Sequence, residues 1–409
     1  MLHIHFGTGR LGLGLVAPVL RRSDASLVLL NRAVSSGSAT GGTAVDPARR
    51  NALLQEHPHK TYVLVTPGGD GQVRERVTYE GFYTYGEDDV AGIVEQVLSQ
   101  NDHARAGVVL TASVLTVEHY APVVDALNAL AQIKESAPDR LGDLYLIACE
   151  NMVSASEVLA YENFDRPPTE AARKHTRCVH ALVDRVCVEL EETEVDGVPT
   201  LAVKAEEYAS LKLEHGEHTQ GLTRLLEGTG ASFSQHLAVE KDIKSWLLNG
   251  SHWLIALTAF QETDGDAEVK LNAWLAETAD HHVFAEEIIE EMRDGIEALL
   301  RSDPQYAGFV ENVDVTDYLN KAAAAILARF EANEDTIARI LARFRAPTPE
   351  AVTTVEQFIG RFLSRIEDPI MAFERKHGAP PKSTTHSLFN LFRLQASGMY
   401  VDANRSEAR

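Results

Sequence analysis

Residues 2–14 read Leu2-His3-Ile4-His5-Phe6-Gly7-Thr8-Gly9-Arg10-Leu11-Gly12-Leu13-Gly14. The first five are short and apolar with a β-branched residue, Ile4, which predicts a strand. Three glycines then fall in the spacing G-x-G-x-x-G, and Leu15-Val16-Ala17 continues as an apolar helix. In a strand–turn–helix unit each glycine has its own task. Gly7 permits the tight turn, Gly9 lets the backbone approach a diphosphate, and Gly12 lets the helix pack on the strand. The helix N-terminus and the loop's N–H groups, with Arg10 and Leu11 at the turn, would hold the diphosphate without a lysine. Pro18 is an irregularity that should kink the helix or end its first segment.

The second strand, Ser26-Leu27-Val28-Leu29-Leu30, ends at Asn31-Arg32. In dinucleotide-binding units an acidic residue is expected roughly 20 residues on, where it accepts from the ribose hydroxyls. Asn31 can still hydrogen-bond a ribose hydroxyl, and Arg32 either pairs with a 2′-phosphate or sits in solvent at a loop entrance. NAD is the expected cofactor, with NADP open.

Further along, residues 33–44 read as a Gly/Ser/Thr-rich loop. Residues 62–66 and 73–79 around Pro67-Gly68-Gly69-Asp70-Gly71 read as a β-hairpin inserted on the sheet. Gly107-Val108-Val109-Leu110-Thr111 and Leu144-Tyr145-Leu146-Ile147-Ala148 are apolar runs of buried parallel strands, and residues 92–98 and 121–133 have helical spacing. Strands alternating with helices predict an α/β class, a Rossmann-type doubly wound sheet with right-handed crossovers. Ligands sit at the carboxyl ends of such strands. Thr111 and Ala112, and the residues after Ala148, are therefore placed towards a cofactor and its substrate. From about Phe233 onward the chain reads as nearly all helix, with segments at 239–260, 269–279, 283–301, 315–332, 336–345, 355–375 and 386–396. The expected organisation is a dinucleotide-binding domain over 1–200 and a mostly α-helical substrate and catalytic domain over 201–409.

Composition narrows the partners. The 409 residues include 60 acidic and 38 basic ones, a formal net charge of −22. That balance argues against nucleic acid, whose phosphate backbone needs clustered Lys and Arg, and against anionic lipid. No apolar run reaches membrane-spanning length and no secretory signal is evident. Three cysteines, Cys149, Cys178 and Cys187, are too few for a disulfide framework. A cytoplasmic enzyme acting on a small molecule is expected. No H-E-x-x-H, paired Cys or zinc-ligand spacing is present, so no metal is expected.

The densest set of chemical groups is Lys244-Ser245-Trp246-Leu247-Leu248-Asn249-Gly250-Ser251-His252. On an α-helix Asn249 lies roughly 140° and His252 about 80° from Lys244, so all three fall in one arc. Oxidising an alcohol by hydride transfer needs a base for the hydroxyl proton and donors for the developing oxyanion. Lys244 could be that base if burial lowers its pKa, Asn249 a donor and His252 a substrate-orienting group. A solvated lysine, a capping asparagine and a satisfied core histidine are the plainer alternative. Gly250 is costly in a helix and marks close approach of a ligand or another backbone. Glu286, Glu287, Glu290 and Glu291 recur at helical spacing and read as a solvated face.

The glycine motif, Ala148-Cys149-Glu150-Asn151-Met152 after a late strand, Val183-Asp184-Arg185 and the K-x-x-x-x-N-G-x-H pattern from Lys244 together resemble the polyol-specific long-chain dehydrogenases, the mannitol dehydrogenase family. The likeness runs to about Ala259. It implies Lys244 as catalytic base, Asn151 and Asn249 as an oxyanion pair, His252 as a substrate-binding residue and a metal-free reaction on a polyol or hexitol phosphate. Thr111-Ala112-Ser113-Val114 stands where the family has its nicotinamide-side loop. Two departures stand out: Asn31 replaces the usual aspartate, and Asn249-Gly250-Ser251-His252 looks more like the hexuronate oxidoreductases. A hexuronate reductase is the alternative, and a non-catalytic dinucleotide-binding sensor a third reading. Arg375, Lys376 and Lys382 are the basic candidates for a substrate phosphate, against a solvated helix end.

Overall fold

The computed structural model describes residues 1–22, 24–34, 45–68, 71–86, 89–114, 116–150, 153–342 and 363–397. The chain divides into two compact units, Met1–Leu237 and Ala238–Arg409.

The first unit is built on a six-stranded parallel sheet. Across it run Gly81–Tyr85, Ser26–Arg32, Leu2–Phe6, Val108–Ala112, Leu144–Ala148 and Thr176–Val179. Numbered within this sheet, the order is 3-2-1-4-5-6, that of a doubly wound nucleotide-binding sheet. The central strands Leu2–Phe6, Val108–Ala112 and Leu144–Ala148 are buried on both faces, which is why they read as largely apolar runs. The strand order reverses between Leu2–Phe6 and Val108–Ala112, so the crevice at their carboxyl ends is where this fold places a ligand. Phe6 leads there into Gly7, and Ala112 into Ser113.

Three differences from the sequence reading have physical causes. The hairpin Thr61–Gly68/Gly71–Thr78 is present, but it is not an insertion on the main sheet. It joins Cys187–Val195 and Val198–Ala205 in a separate four-stranded sheet. The main sheet's edge strands, Gly81–Tyr85 and Thr176–Val179, have five and four residues and carry too little apolar periodicity to stand out. The first unit also continues past the expected boundary at 200. Val198–Ala205 pairs with Thr61–Gly68, and Ser210–Glu214 pairs with Ala181–Asp184 and Ser232–Ser234, which binds residues up to 234 into this half. Of the loop expected over 33–44, residues 35–44 lie outside the described residues.

The second unit is helical. A helix running through Leu237–Ile243, Lys244–Gly250 and Ser251–Glu262 lies in a core with Ala279–Ser302, Val315–Ala332 and Asp368–His377. Trp253, Leu254, Ile255, Leu257 and Phe260 are all fully or almost fully buried. A side chain of that size contributes roughly 1.5–3 kcal/mol on burial, so this segment anchors the unit. The helices expected over 336–345 and 355–375 are present as Ile337–Ala342 and, beyond residue 362, as Leu363–Glu367 and Asp368–His377; residues 343–362 lie outside the described ones. Glu287 and Glu291 do not form a purely solvated face. Glu287 accepts from Ser383 Oγ (2.6 Å), and Glu291 accepts from the N–H groups of Ser383 (2.9 Å) and Thr384 (2.8 Å), capping the helix Lys382–Ser397.

One polar network runs inside the first unit's core. His5 Nε2 donates to the Gly7 carbonyl (2.8 Å), since a carbonyl can only accept. His5 Nδ1 must then accept, and the Thr111 hydroxyl donates to it (2.7 Å). Thr111 Oγ1 in turn accepts from His3 Nε2 (2.7 Å). Every proton in the chain is thereby directed, and both rings are neutral. Burial pushes His3 down to about 3 and His5 down to about 4. The unfolded chain therefore binds these protons more readily than the fold does. The stability is complete above pH 6.5 and is lost as pH falls towards 4 and 3, with a slope of about 1.4 kcal/mol per pH unit for each histidine. Urea unfolding from pH 7 to 4 should show a steeper loss for the native protein than for a His3→Gln/His5→Gln variant; parallel curves would remove the role given to these rings.

Candidate functional site

At the amino-terminal loop each of the three glycines has a distinct physical reason. Gly7 has φ +97°, and a Cβ there would come within 2.9 Å of the Ser113 carbonyl oxygen. Gly12 is hemmed in, because a Cβ would lie 2.3 Å from His5 Nε2 and 2.4 Å from the Gly7 oxygen. Gly9 is the opposite case: among the described residues, chain neighbours aside, no atom lies within 4 Å of the place its Cβ would take. It leaves open space beside the first helical turn, where the N–H groups have no acceptor within the helix. Open space beside a helix N-terminus is a geometry that suits an anionic group, and Gly9, Arg10 and Leu11 border it. Arg10 also donates to the Val188 carbonyl (2.9 Å), so its side chain helps pin the loop.

The helix after the loop begins with a wide-turn segment, Gly12–Val16, and continues as Ala17–Leu20. It ends within a turn of Pro18, as the proline predicts. Pro18 has no N–H to give to the Gly14 carbonyl four residues back. Arg185 supplies the missing donor, with Nη1 2.6 Å from that oxygen, while Nε and Nη2 hold the Glu206 carbonyl. Tyr62 donates to the Leu13 carbonyl (2.8 Å). Arg185 thus has a structural task that its V-D-R context does not disclose.

Asn31 is buried at the end of the second strand. Its Oδ1 accepts from Thr8 N–H (3.4 Å) and its Nδ2 donates to Asn51 Oδ1 (2.7 Å). Asn51 Nδ2 in turn donates to the Arg32 carbonyl (3.0 Å). Asn31 therefore ties the glycine loop to the strand and to the helix Pro47–Glu56. Arg32 is exposed, and among the described residues no side chain pairs with its guanidinium. Thr111 and Ala112 reach the carboxyl end of their strand, but their side chains are taken up by the fold: Thr111 by the two histidines, Ala112 by the core. Neither side chain is available to a cofactor; what they position is the backbone leading to Ser113 and Val114. Asn151 lies outside the described residues, and Cys149 is buried packing whose thiol is pushed up by burial.

The helical unit carries the other candidates. Lys244–Gly250 is wound with i→i+5 hydrogen bonds, and the α-helix resumes at Ser251. Such wide turns are uncommon and recur at functional sites. In a wide turn, residues five apart come nearer to one another's face, so Asn249 is brought from roughly 140° round towards Lys244. Both side chains are half-buried, while His252 is buried and its ring stacks on Phe330, centroids 4.4 Å apart and planes 16° apart. Gly250 is explained by a neighbouring backbone: a Cβ would lie 2.8 Å from the Arg365 carbonyl. Two residues before Lys244, burial raises the Asp242 carboxyl, and Tyr306 donates a hydrogen bond to it. Of the basic candidates at the C-terminal end, Lys376 pairs with Asp294, which His377 also holds; Arg375 and Lys382 are exposed.

The residues that sequence reasoning missed are His3, His5 and Asn51, which hold the loop rather than touch a ligand. The alternation of two histidines on one face of a buried strand was the available signal.

No protein-family model and no curated protein sequence matches the chain. Solved structures do. Mannitol 2-dehydrogenase of Pseudomonas fluorescens, in a ternary complex with NAD and D-mannitol, superposes with a TM-score of 0.54 at 15% identity, covering 96% of this chain and 94% of that one. D-sorbitol dehydrogenase in substrate-free form superposes with a TM-score of 0.53 at 12% identity, covering 90% of this chain and 80% of that one. At such identities the likeness is one of fold: a Rossmann-type unit followed by a helical one.

The glycines separate by substitution. Gly12→Ala should lower the melting temperature sharply, because two close atoms would have to move, whereas Gly9→Ala should leave it nearly unchanged. Gly250→Ala should cost about 1–3 kcal/mol, the usual range for overpacking. Thermal and urea unfolding check all three, and equal effects at Gly9 and Gly12 would contradict the assignment.

Proposed function

We propose that the chain is an NAD(P)-dependent, metal-independent polyol dehydrogenase that interconverts a hexitol phosphate and a ketohexose phosphate, with mannitol 1-phosphate and fructose 6-phosphate as the pair. The observation that carries this reading is the wide-turn segment that presents Lys244 and Asn249 half-buried on one helix, with His252 locked against Phe330 in the next turn. The glycine loop supports it with an open cradle at Gly9 and a helix N-terminus beside it.

A bound nicotinamide dinucleotide would supply the hydride acceptor. The chain's own groups do the rest. Gly9, Arg10, Leu11 and Gly12 offer backbone N–H groups and room for the diphosphate. Lys244 Nζ, in its neutral form, takes the proton of the substrate hydroxyl. Asn249 donates to the developing oxyanion, and this kind of stabilisation is strongest in a site shielded from water. His252 holds a neighbouring hydroxyl. The fold likeness to a mannitol and a sorbitol dehydrogenase agrees with a polyol substrate. The N-G-x-H pattern keeps a hexuronate reductase as second reading, although Gly250 answers to the Arg365 carbonyl and so does not itself argue for either sugar.

Lys244→Ala should lower kcat roughly 10²–10⁴-fold while dinucleotide affinity stays close to native. Asn249→Ala should cost about 2.7–4 kcal/mol of transition-state stabilisation, read from kcat/KM. Steady-state kinetics with binding titrations distinguish these effects; native turnover in the lysine variant would refute the assignment of the base.

A further inference from the structure

A cavity of about 820 Å³ opens at the amino ends of the main sheet's strands, the end opposite to the glycine turn, and all of its lining belongs to the first unit. Leu20, Ala25 and Leu27 give it apolar wall, and Arg21, Arg22, Asp24, Glu80 and Glu227 give it charge. Both arginines are already held. Arg21 donates to Glu75 (2.7 Å) and to the Arg76 carbonyl (2.6 Å). Arg22 forks onto Asp24 (2.7 and 2.6 Å) and donates to the Leu225 carbonyl (2.8 Å). Glu80 accepts from Ser26 Oγ and Asn101 Nδ2, which are neutral donors, and among the described residues neither Glu80 nor Glu227 forms an ion pair. The lining thus has its cations paired off and two carboxylates without a counter-charge.

His3 supplies an independent sign of the same chemistry. It is buried and lines this cavity. Its Nε2 donates to Thr111, in the chain of bonds that ends through His5 on the Gly7 carbonyl. In that tautomer Nδ1 carries no proton, and it has no hydrogen-bond partner among the described residues. A buried acceptor left bare is costly, and a donor brought by a ligand removes the cost. The cavity therefore asks for donors and for positive charge.

We propose that this cavity binds a short alkyl diamine, whose N–H groups meet Glu80, Glu227 and His3 Nδ1 and whose carbon chain lies along Leu20, Ala25 and Leu27. The volume falls in the range of small-molecule sites. A donor on His3 Nδ1 also favours the tautomer in which Nε2 holds Thr111, so the ligand stabilises the clamp on the glycine turn from the far end of the sheet. The site lies apart from the crevice at the carboxyl ends of the strands, and the proposal does not depend on the reading of the chain as an oxidoreductase.

Calorimetric titration of the full chain with 1,6-diaminohexane, with 1,6-hexanediol as its uncharged counterpart, tests this. The diamine should bind ~10-fold or more tightly than the diol, the scale of a charge-assisted hydrogen bond. Glu80→Gln/Glu227→Gln should weaken diamine binding by a similar factor. Glu286→Gln/Glu290→Gln, which removes the same charge from the helical unit, should leave it unchanged and so account for unspecific attraction to an acidic protein. In the native chain the ¹⁵N resonance of His3 Nδ1 should move as the diamine is added, a readout that needs no variant to fold. No diamine binding, equal binding of the diol, equal weakening by the two double variants or a stationary His3 resonance would each overturn the proposal.

Discussion

Gly12 can carry no side chain because His5 Nε2 and the Gly7 carbonyl already fill the space. Much of the first unit follows from that contact. The histidine holds the carbonyl of the turn from below, Thr111 fixes the histidine's tautomer from the neighbouring strand, and His3 fixes Thr111. The loop is thus clamped to the two strands between which the sheet order reverses. Its far side, at Gly9, is left open. The same turn is clamped on another side by Asn31, and the helix behind it is completed by Arg185, which replaces the N–H that Pro18 lacks. A loop pinned this way presents its N–H groups in a fixed geometry, so little conformational entropy remains to be lost when an anion binds.

The global charge of −22 takes on a more local meaning. It disfavours extended polyanion surfaces, yet backbone amides and a helix end need no net positive charge to hold a diphosphate. Several described surface cations are paired: Arg49 with Glu192, Lys204 with Glu189 and Glu191, Lys376 with Asp294.

How much was legible in the sequence varies with the kind of signal. The strands Leu2–Phe6, Val108–Ala112 and Leu144–Ala148 announce themselves because burial on both faces demands apolar residues throughout. Gly81–Tyr85 and Thr176–Val179 do not, because an edge strand of a few residues needs neither length nor uniform hydrophobicity. The glycine spacing pointed to a nucleotide cradle, but it could not say that Gly12 answers to a histidine, or Gly250 to a carbonyl of a distant helix. The acids at Glu287 and Glu291 looked solvated because sequence periodicity marks the face of a helix and not the helix end that packs across it. Lys244, Asn249 and His252 were visible as a cluster of residue types. The wide turn that brings Asn249 round towards Lys244 was not, since no local sequence rule marks it.

The central claim, hydride transfer on a sugar alcohol driven from the Lys244 helix, is tested most directly by following nicotinamide absorbance with both cofactors in both directions. The substrate panel would be hexitols, hexitol phosphates, ketohexose phosphates and hexuronates. The account predicts turnover with mannitol 1-phosphate and, in reverse, with fructose 6-phosphate, above that with any hexuronate. Turnover confined to fructuronate or tagaturonate, or no absorbance change with any member of the panel, would contradict it.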